Sequence, residues 1–170
     1  DLPVLARRRG GRIVVPTGAL IGLDAVRAAA EGEIRSVRMI SRKPPKGLEG
    51  APYLVENKID LTNLTEPMVV FEGSAREACK AFPKNVNVAA ALSFAGIGPD
   101  QTRVRIIADP NATLNSHEIV AEGAFGKLRA VTENLPSPRN AKSSYLASLS
   151  AIAELRAAAE AFVAHHAGKA

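Results

Sequence analysis

The sequence predicts an α/β protein of the α+β kind, with a mixed, largely antiparallel sheet covered on one face by helices. Three observations predict it. Residues 102–108, 114–122 and 127–133 read as strands joined by short links, 102–108 with strict alternation of side chains. Residues 74–82, 85–95 and 141–164 carry alanine-rich patterns at helical spacing. Finally, 170 residues with 46% hydrophobic and 23% charged content suffice for one well-buried core.

Taken in order, Ala6 to Gly11 reads as a helix end, with Arg7, Arg8 and Arg9 in the last turn and Gly10-Gly11 as the stop. Arg12 to Pro16 reads as a short buried strand, leading through Thr17 and Gly18 into a helix over Ala19 to Glu31 that Gly32 ends. Ile34 to Ser41 is strand-like, and Arg42-Lys-Pro-Pro-Lys-Gly47 breaks it. Residues 47–65 form a long connection of the kind that often carries function. Val69 to Phe71 is a short strand. Ser74 with Glu77 three residues on makes a capping box for a helix to Phe82, closed by Pro83.

Asn85 to Ala95 is apolar nearly all round after two asparagines, so a buried helix is expected, ended by Gly96 and Gly98. The three strands that follow, with a turn at Asp109-Pro110-Asn111, suggest an antiparallel meander. His117 then lies mid-strand on a face shared with Asn115, Ile119 and Ala121 that packs on a helix. Asn134 to Asn140 is a Pro-rich irregular turn. Ala141 to Ala164 is a long helix starting near Ser143 or Ser144, and the tail with His165 and His166 frays.

Composition narrows the function. No apolar run reaches the roughly 20 residues of a membrane span and no signal peptide opens the chain, so a soluble protein is expected. One cysteine, Cys79, fits the reducing cytoplasm and reads as a small buried hydrophobe. The net charge of +5 permits a nucleic-acid partner, yet Arg7 to Arg9 is the only tight basic cluster and aromatics are 4%. Such a chain lacks stacking platforms, and a small anionic ligand suits the charge as well.

Motif spacing excludes more. His117-Glu118 opens like a zinc-protease motif, but position 121 is alanine rather than a second histidine. His165 and His166 are adjacent and point to different sides of a helix, so no metal site is expected. Gly18-Ala-Leu-Ile-Gly22 does not have the spacing of a dinucleotide fingerprint. What remains is His117, a candidate for acid–base work near neutral pH; on position alone, a core histidine hydrogen-bonded to backbone is the favoured alternative.

Seven stretches, in order and at compatible spacing, resemble the L-aspartate dehydrogenase family. They are Pro16-Thr-Gly-Ala-Leu-Ile-Gly-Leu-Asp24, Arg42-Lys-Pro-Pro45, Phe71-Glu-Gly-Ser-Ala-Arg-Glu-Ala78, Phe82-Pro-Lys-Asn-Val-Asn-Val-Ala89, Ala108-Asp-Pro110, Asn115-Ser-His-Glu118 and Glu133-Asn-Leu-Pro-Ser-Pro138. The resemblance implies NAD- or NADP-dependent oxidation of L-aspartate to iminoaspartate, which goes to oxaloacetate and ammonia or feeds NAD biosynthesis. It implies that His117 is the active-site histidine and that Ala19 and Asn87 contact the cofactor. For the substrate carboxylates, Arg42, Lys43 and Lys84 are candidates on charge, with nothing in the sequence to choose among them.

The family's nucleotide-binding domain, with its Gly-rich first turn, has no counterpart in this sequence. Residues 1–16 accordingly resemble a remnant strand-helix of a Rossmann domain, and 17–170 the substrate-binding, catalytic and dimerisation domain. A cytoplasmic homodimer is expected, inactive without a nucleotide-binding domain. The alternative is a non-catalytic oligomerisation module that has lost its cofactor domain.

Overall fold

The computed structural model of the chain describes residues 1–84 and 87–167. Asn85 and Val86 of the expected helix, the last three residues of the tail and the side chains of Ala141, Lys142, His166 and Ala167 lie outside the described residues. The first helix, α1, spans Leu2–Arg8, with proline in its first turn and Arg7 and Arg8 in its last, an arrangement that suits the helix dipole.

The strand expected at 12–16 does not form. The segment has no regular structure and Ile13 is 51% exposed. No strand among the described residues pairs with it, and an apolar run without a sheet edge to join has no reason to be extended and buried. The helix expected at 19–31 is shortened to α2, Leu23–Ala29. Gly22 stands before it at φ +80, a left-handed conformation that no helix interior accepts. Residues 17–22 are therefore a turn, and Ala19 and Leu20 are buried in it.

The remaining elements are β1 Ile34–Lys43, a 3-10 turn Pro45–Gly47, α3 Pro52–Glu56, β2 Met68–Ser74, α4 Ala75–Ala81, α5 Asn87–Ala95, β3 Arg103–Ala108, β4 Asn115–Gly123, β5 Gly126–Asn134, the short strands β6 Pro136–Ser137 and β7 Asn140–Ser144, and α6 Tyr145–Ala167. The capping box at α4 is present. The Glu77 N–H donates to Ser74 Oγ at 3.2 Å, and Glu77 Oε2 accepts from the Ser74 N–H at 2.7 Å.

The five-stranded sheet has the order β2-β3-β1-β4-β5. It is mixed and largely antiparallel, with β1 parallel to β3 and every other neighbouring pair antiparallel. The expected meander is thereby corrected: β1 stands between β3 and β4. The cause is that Val37, Met39, Ser41 and Lys43 of β1 are buried, which asks for a central strand hydrogen-bonded on both edges.

Val37, Met39, Val104, Ile106, Ile119 and Ala121 of the sheet meet Leu23, Val26, Ala78, Ala89 and Leu92 of α2, α4 and α5 in one core. Beside it, Tyr53, Phe71 and Phe82 cluster with centroids 5.3–5.7 Å apart, Phe71 meeting both other rings edge to face and Tyr53 lying tilted on Phe82.

The expectation that the C-terminal helix covers the sheet is also corrected. Residues 141–144 are strand, β7 pairing with β6, and the helix begins only at Tyr145, whose N–H donates to the Leu135 carbonyl. Most of α6 stands exposed, with Leu155 at 72%, and among its described side chains Ala147 near its start packs on the core. No helix among the described residues is long and apolar enough to cross a membrane.

Candidate active site

The site is assembled where β1 and β4 run side by side. Ser41 and His117 are register partners, so both side chains project to the same, inner face. Ser41 Oγ and His117 Nδ1 are hydrogen-bonded at 3.1 Å. His117 is 2% exposed. Two residues on, the alternation of β1 carries Lys43 to the same face, 3% exposed.

The turn at 17–22 is pinned over the far side of this face. The Ala19 carbonyl accepts from Thr132 Oγ1 at 2.8 Å and from Asn134 Nδ2 at 3.2 Å. Gly18, at φ +67, faces Val88 in the first turn of α5. Asn87 opens α5 on the outside, and Lys84 arrives from the end of α4. The start of α6 closes the remaining side.

These elements enclose a cleft of about 30 Å³ lined by Ala19, Lys43, Lys84, Asn87, Val88, His117, Ser143, Ser144 and Ala147. Five of the six residues singled out in the sequence therefore share one wall. Arg42 does not. As a neighbour of Lys43 on an extended strand it points to the opposite face, where its guanidinium pairs with Asp109 at 2.8 Å. The Asp109 carboxyl is held below the usual range by the Asn111 N–H and by Arg42.

Among the described residues the lining contains two lysines and an imidazole and no carboxylate. Burial governs how they titrate. Desolvation, with the Lys43 charge as the lesser cause, pushes His117 down to about 3, so its imidazole is neutral at pH 7. Desolvation alone brings Lys43 down to about 8. Asn115, on the same face of β4 and 1% exposed, has no hydrogen-bond partner among the described residues for either polar atom of its amide.

Other candidate chemistry is absent from the structure's described part. Burial raises the Cys79 thiol above its ordinary value, the opposite of what a nucleophile needs. No group of three His, Cys, Asp or Glu could hold a metal among the described residues.

Sequence reasoning missed Ser41, which the inward alternation of β1 would have placed beside Val37 and Met39. It also placed Ser143 or Ser144 at the start of a helix, whereas both end β7 and line the cleft.

A family model described as aspartate dehydrogenase, C-terminal, matches residues 24–158. The chain is 56% identical over 156 residues to the L-aspartate dehydrogenase of Bradyrhizobium diazoefficiens, covering 92% of this chain and 55% of that protein. It is 53% identical over 152 residues to the L-aspartate dehydrogenase of Methanosarcina acetivorans, covering 89% and 56%. The crystal structure of aspartate dehydrogenase from Thermotoga maritima superposes with a TM-score of 0.65 at 28% identity, over 94% of this chain and 60% of that one. The chain thus spans just over half the length of the relatives it matches. With a sheet and helix cover that agree with the Thermotoga maritima structure, the chain belongs to the aspartate dehydrogenase family and corresponds to its C-terminal part.

Proposed function

We propose that this chain supplies the substrate-binding half of an enzyme that oxidises L-aspartate to iminoaspartate with NAD or NADP, the imine then hydrolysing to oxaloacetate and ammonia. One observation carries the proposal: Lys43 and Lys84 share a cleft with His117 and with no described carboxylate. Two ammonium groups suit a substrate with two carboxylates, and an acid in the wall would repel it.

A cleft of about 30 Å³ has room for roughly one water molecule. Aspartate would lie across its mouth, between Asn87 and Ser143, with its charged groups reaching inward. The neutral imidazole of His117 is then placed to orient the water that attacks the imine. Ser41 holds the ring at Nδ1, which leaves Nε2 for that water.

The residues present fit one end of a nicotinamide cofactor. Asn87 is exposed and its amide can pair with a carboxamide, while the small side chain of Ala19 leaves a flat wall beside it. The cofactor, when bound, would accept the hydride from the substrate α-carbon. No glycine-rich phosphate loop occurs in the sequence, so the nucleotide would be held by a separate nucleotide-binding half. Support for such a half comes from the apolar groove of Leu2, Leu5, Ala6 and Ile13 and from the exposed side chains of α6.

The test is His117→Ala in a polypeptide carrying both halves. NADH formation from aspartate should fall by about 10²- to 10⁴-fold with a smaller change in KM. Wild-type turnover in the variant would remove the role of His117. A wild-type polypeptide that forms an oligomer but never oxidises aspartate would favour a non-catalytic assembly module.

A further inference from the structure

Resting on the aspartate-oxidation reading above, we infer that Asn115 binds, together with His117, the water that hydrolyses the imine.

The inner face of the sheet carries two polar rows beside the cleft. Ser41, His117 and Thr132 are register partners across β1, β4 and β5. In the next row Asn115 stands opposite Asn134, and Lys43, one step beyond the Arg42–Ser116 pair, stands opposite Asn115 on β1. Ser41 and His117 are hydrogen-bonded to each other, while Thr132 and Asn134 both donate to the Ala19 carbonyl. Asn115 has no such hold. It is 1% exposed, yet neither Oδ1 nor Nδ2 has a hydrogen-bond partner among the described residues.

An unpaired amide is costly to bury, so a group that completes it is expected. The chemistry of the amide selects that group. Oδ1 needs a donor and Nδ2 an acceptor. A carboxylate serves only Nδ2 and an ammonium only Oδ1, whereas one water molecule serves both.

The position of Asn115 agrees. Lys43 opposite it and His117 two residues on both line the cleft, which at about 30 Å³ has room for roughly one water. Residues two apart on a strand stand roughly 7 Å apart at Cα, and a water with hydrogen bonds of about 2.8 Å joins side-chain ends at such a spacing. Because no hydrogen bond holds the Asn115 rotamer, its amide turns toward the cleft without breaking one. The water then donates one O–H to Asn115 Oδ1 and accepts from Nδ2. Its other O–H goes to His117 Nε2, with Nδ1–H directed at Ser41 Oγ, and one lone pair stays free.

The step balances without a further reactant. That lone pair forms the C–O bond at the imine carbon, the C=N π pair moves onto nitrogen, and the nitrogen takes the proton that the water gives up. The carbinolamine expels ammonia, which carries off the hydroxyl proton as the C=O bond of oxaloacetate closes.

The experiment uses the polypeptide carrying both halves, mixed rapidly with aspartate and the nicotinamide cofactor it reduces. The reduced cofactor is followed by absorbance, and samples are quenched with borodeuteride. The quench converts iminoaspartate to deuterated aspartate and oxaloacetate to deuterated malate, which mass spectrometry counts. In wild type, oxaloacetate should appear together with the reduced cofactor. Asn115→Leu keeps the bulk and loses both polar atoms. Its first-turnover cofactor reduction should stay within a few fold of wild type, while oxaloacetate formation slows by about 100-fold. Asn115→Ser, whose hydroxyl both donates and accepts, should recover part of that loss. If the leucine variant does not fold, Asn115→Ala replaces it with the same expectation.

Oxaloacetate that keeps pace with the reduced cofactor in Asn115→Leu would overturn the inference. So would cofactor reduction that slows as much as oxaloacetate formation, which would make Asn115 a contact of the substrate rather than of water. A wild-type polypeptide whose oxaloacetate lags behind the reduced cofactor overturns this inference and leaves aspartate oxidation standing. One that never reduces the cofactor overturns the parent reading as well.

Discussion

Burying a histidine and a lysine in one cleft makes stability depend on pH in two separate windows. His117 falls from 6.5 to about 3 on folding, so between those values the unfolded chain binds a proton that the folded chain refuses. Stability therefore rises with pH through that window and is lost as pH falls through it. Lys43 falls from 10.5 to about 8. Below about 8 the folded protein carries the full cost of a buried ammonium, and between 8 and 10.5 stability rises again as that ammonium is neutralised. The melting temperature should thus climb up to about pH 6.5, flatten, and climb again above about 8. Lys43→Met should raise stability at pH 7 by on the order of 2–3 kcal/mol and abolish the second climb; a wild-type profile that only falls above pH 8 would refute this account. His117 was legible as the one histidine inside an apolar-flanked, strand-like segment. Ser41 was not, because nothing in its local sequence separates a hydroxyl that positions an imidazole from one that merely ends a strand. Lys43 was legible as a cation but not as a buried one, since Pro44-Pro45 suggested that the strand had already stopped.

Among the elements, those fixed by local chemistry were readable and those fixed by partners were not. The capping box at Ser74 and Glu77 sits where the sequence indicates, because its hydrogen bonds are made within four residues. The cap starts α4, and α4 delivers Lys84 to the cleft. Ser74→Ala should cost about 1 kcal/mol in urea unfolding and raise KM for aspartate more than it lowers kcat, whereas Ser74→Thr should keep most of both. An unchanged urea midpoint in the alanine variant would mean that β2 and the core hold α4 without its cap. Strand pairing is of the other kind. Alternation identifies β1, β3 and β4 as strands but does not say that β1 lies between the other two, since that depends on contacts between residues more than sixty positions apart. Residues 12–16 show the same limit in reverse: their pattern suits a buried strand, but no edge among the described strands takes it. At 141–144 the alanine-rich composition favoured helix, and pairing of Ser144 with Pro136 and of Asn140 with Ser137 decided for strand.

At the scale of the whole molecule, the question is what covers the apolar surface that the sheet and its helices leave open. Tyr145, Leu149, Ile152 and Val163 are all exposed and fall on one side of α6 at the helical repeat of about 100° per residue. A helix that is apolar on an exposed side is normally seated against something. The chain spans 55–58% of the length of L-aspartate dehydrogenases that it matches at about half identity or better, which supports a nucleotide-binding half as the occupant. Seated there, that half would bring a nicotinamide toward the mouth of the cleft, because α6 begins at the cleft wall with Ser144 and Ala147. Replacing Leu149 and Ile152 with glutamate tests this. Both are already exposed, so the isolated chain should lose no more than about 0.5 kcal/mol per site. In the polypeptide carrying both halves the same pair should uncouple the halves, with aspartate oxidation falling at least tenfold and two thermal transitions replacing one. Full activity with a single transition would show that α6 is not the seat of the other half, and the apolar groove on α1 would then be the surface to probe.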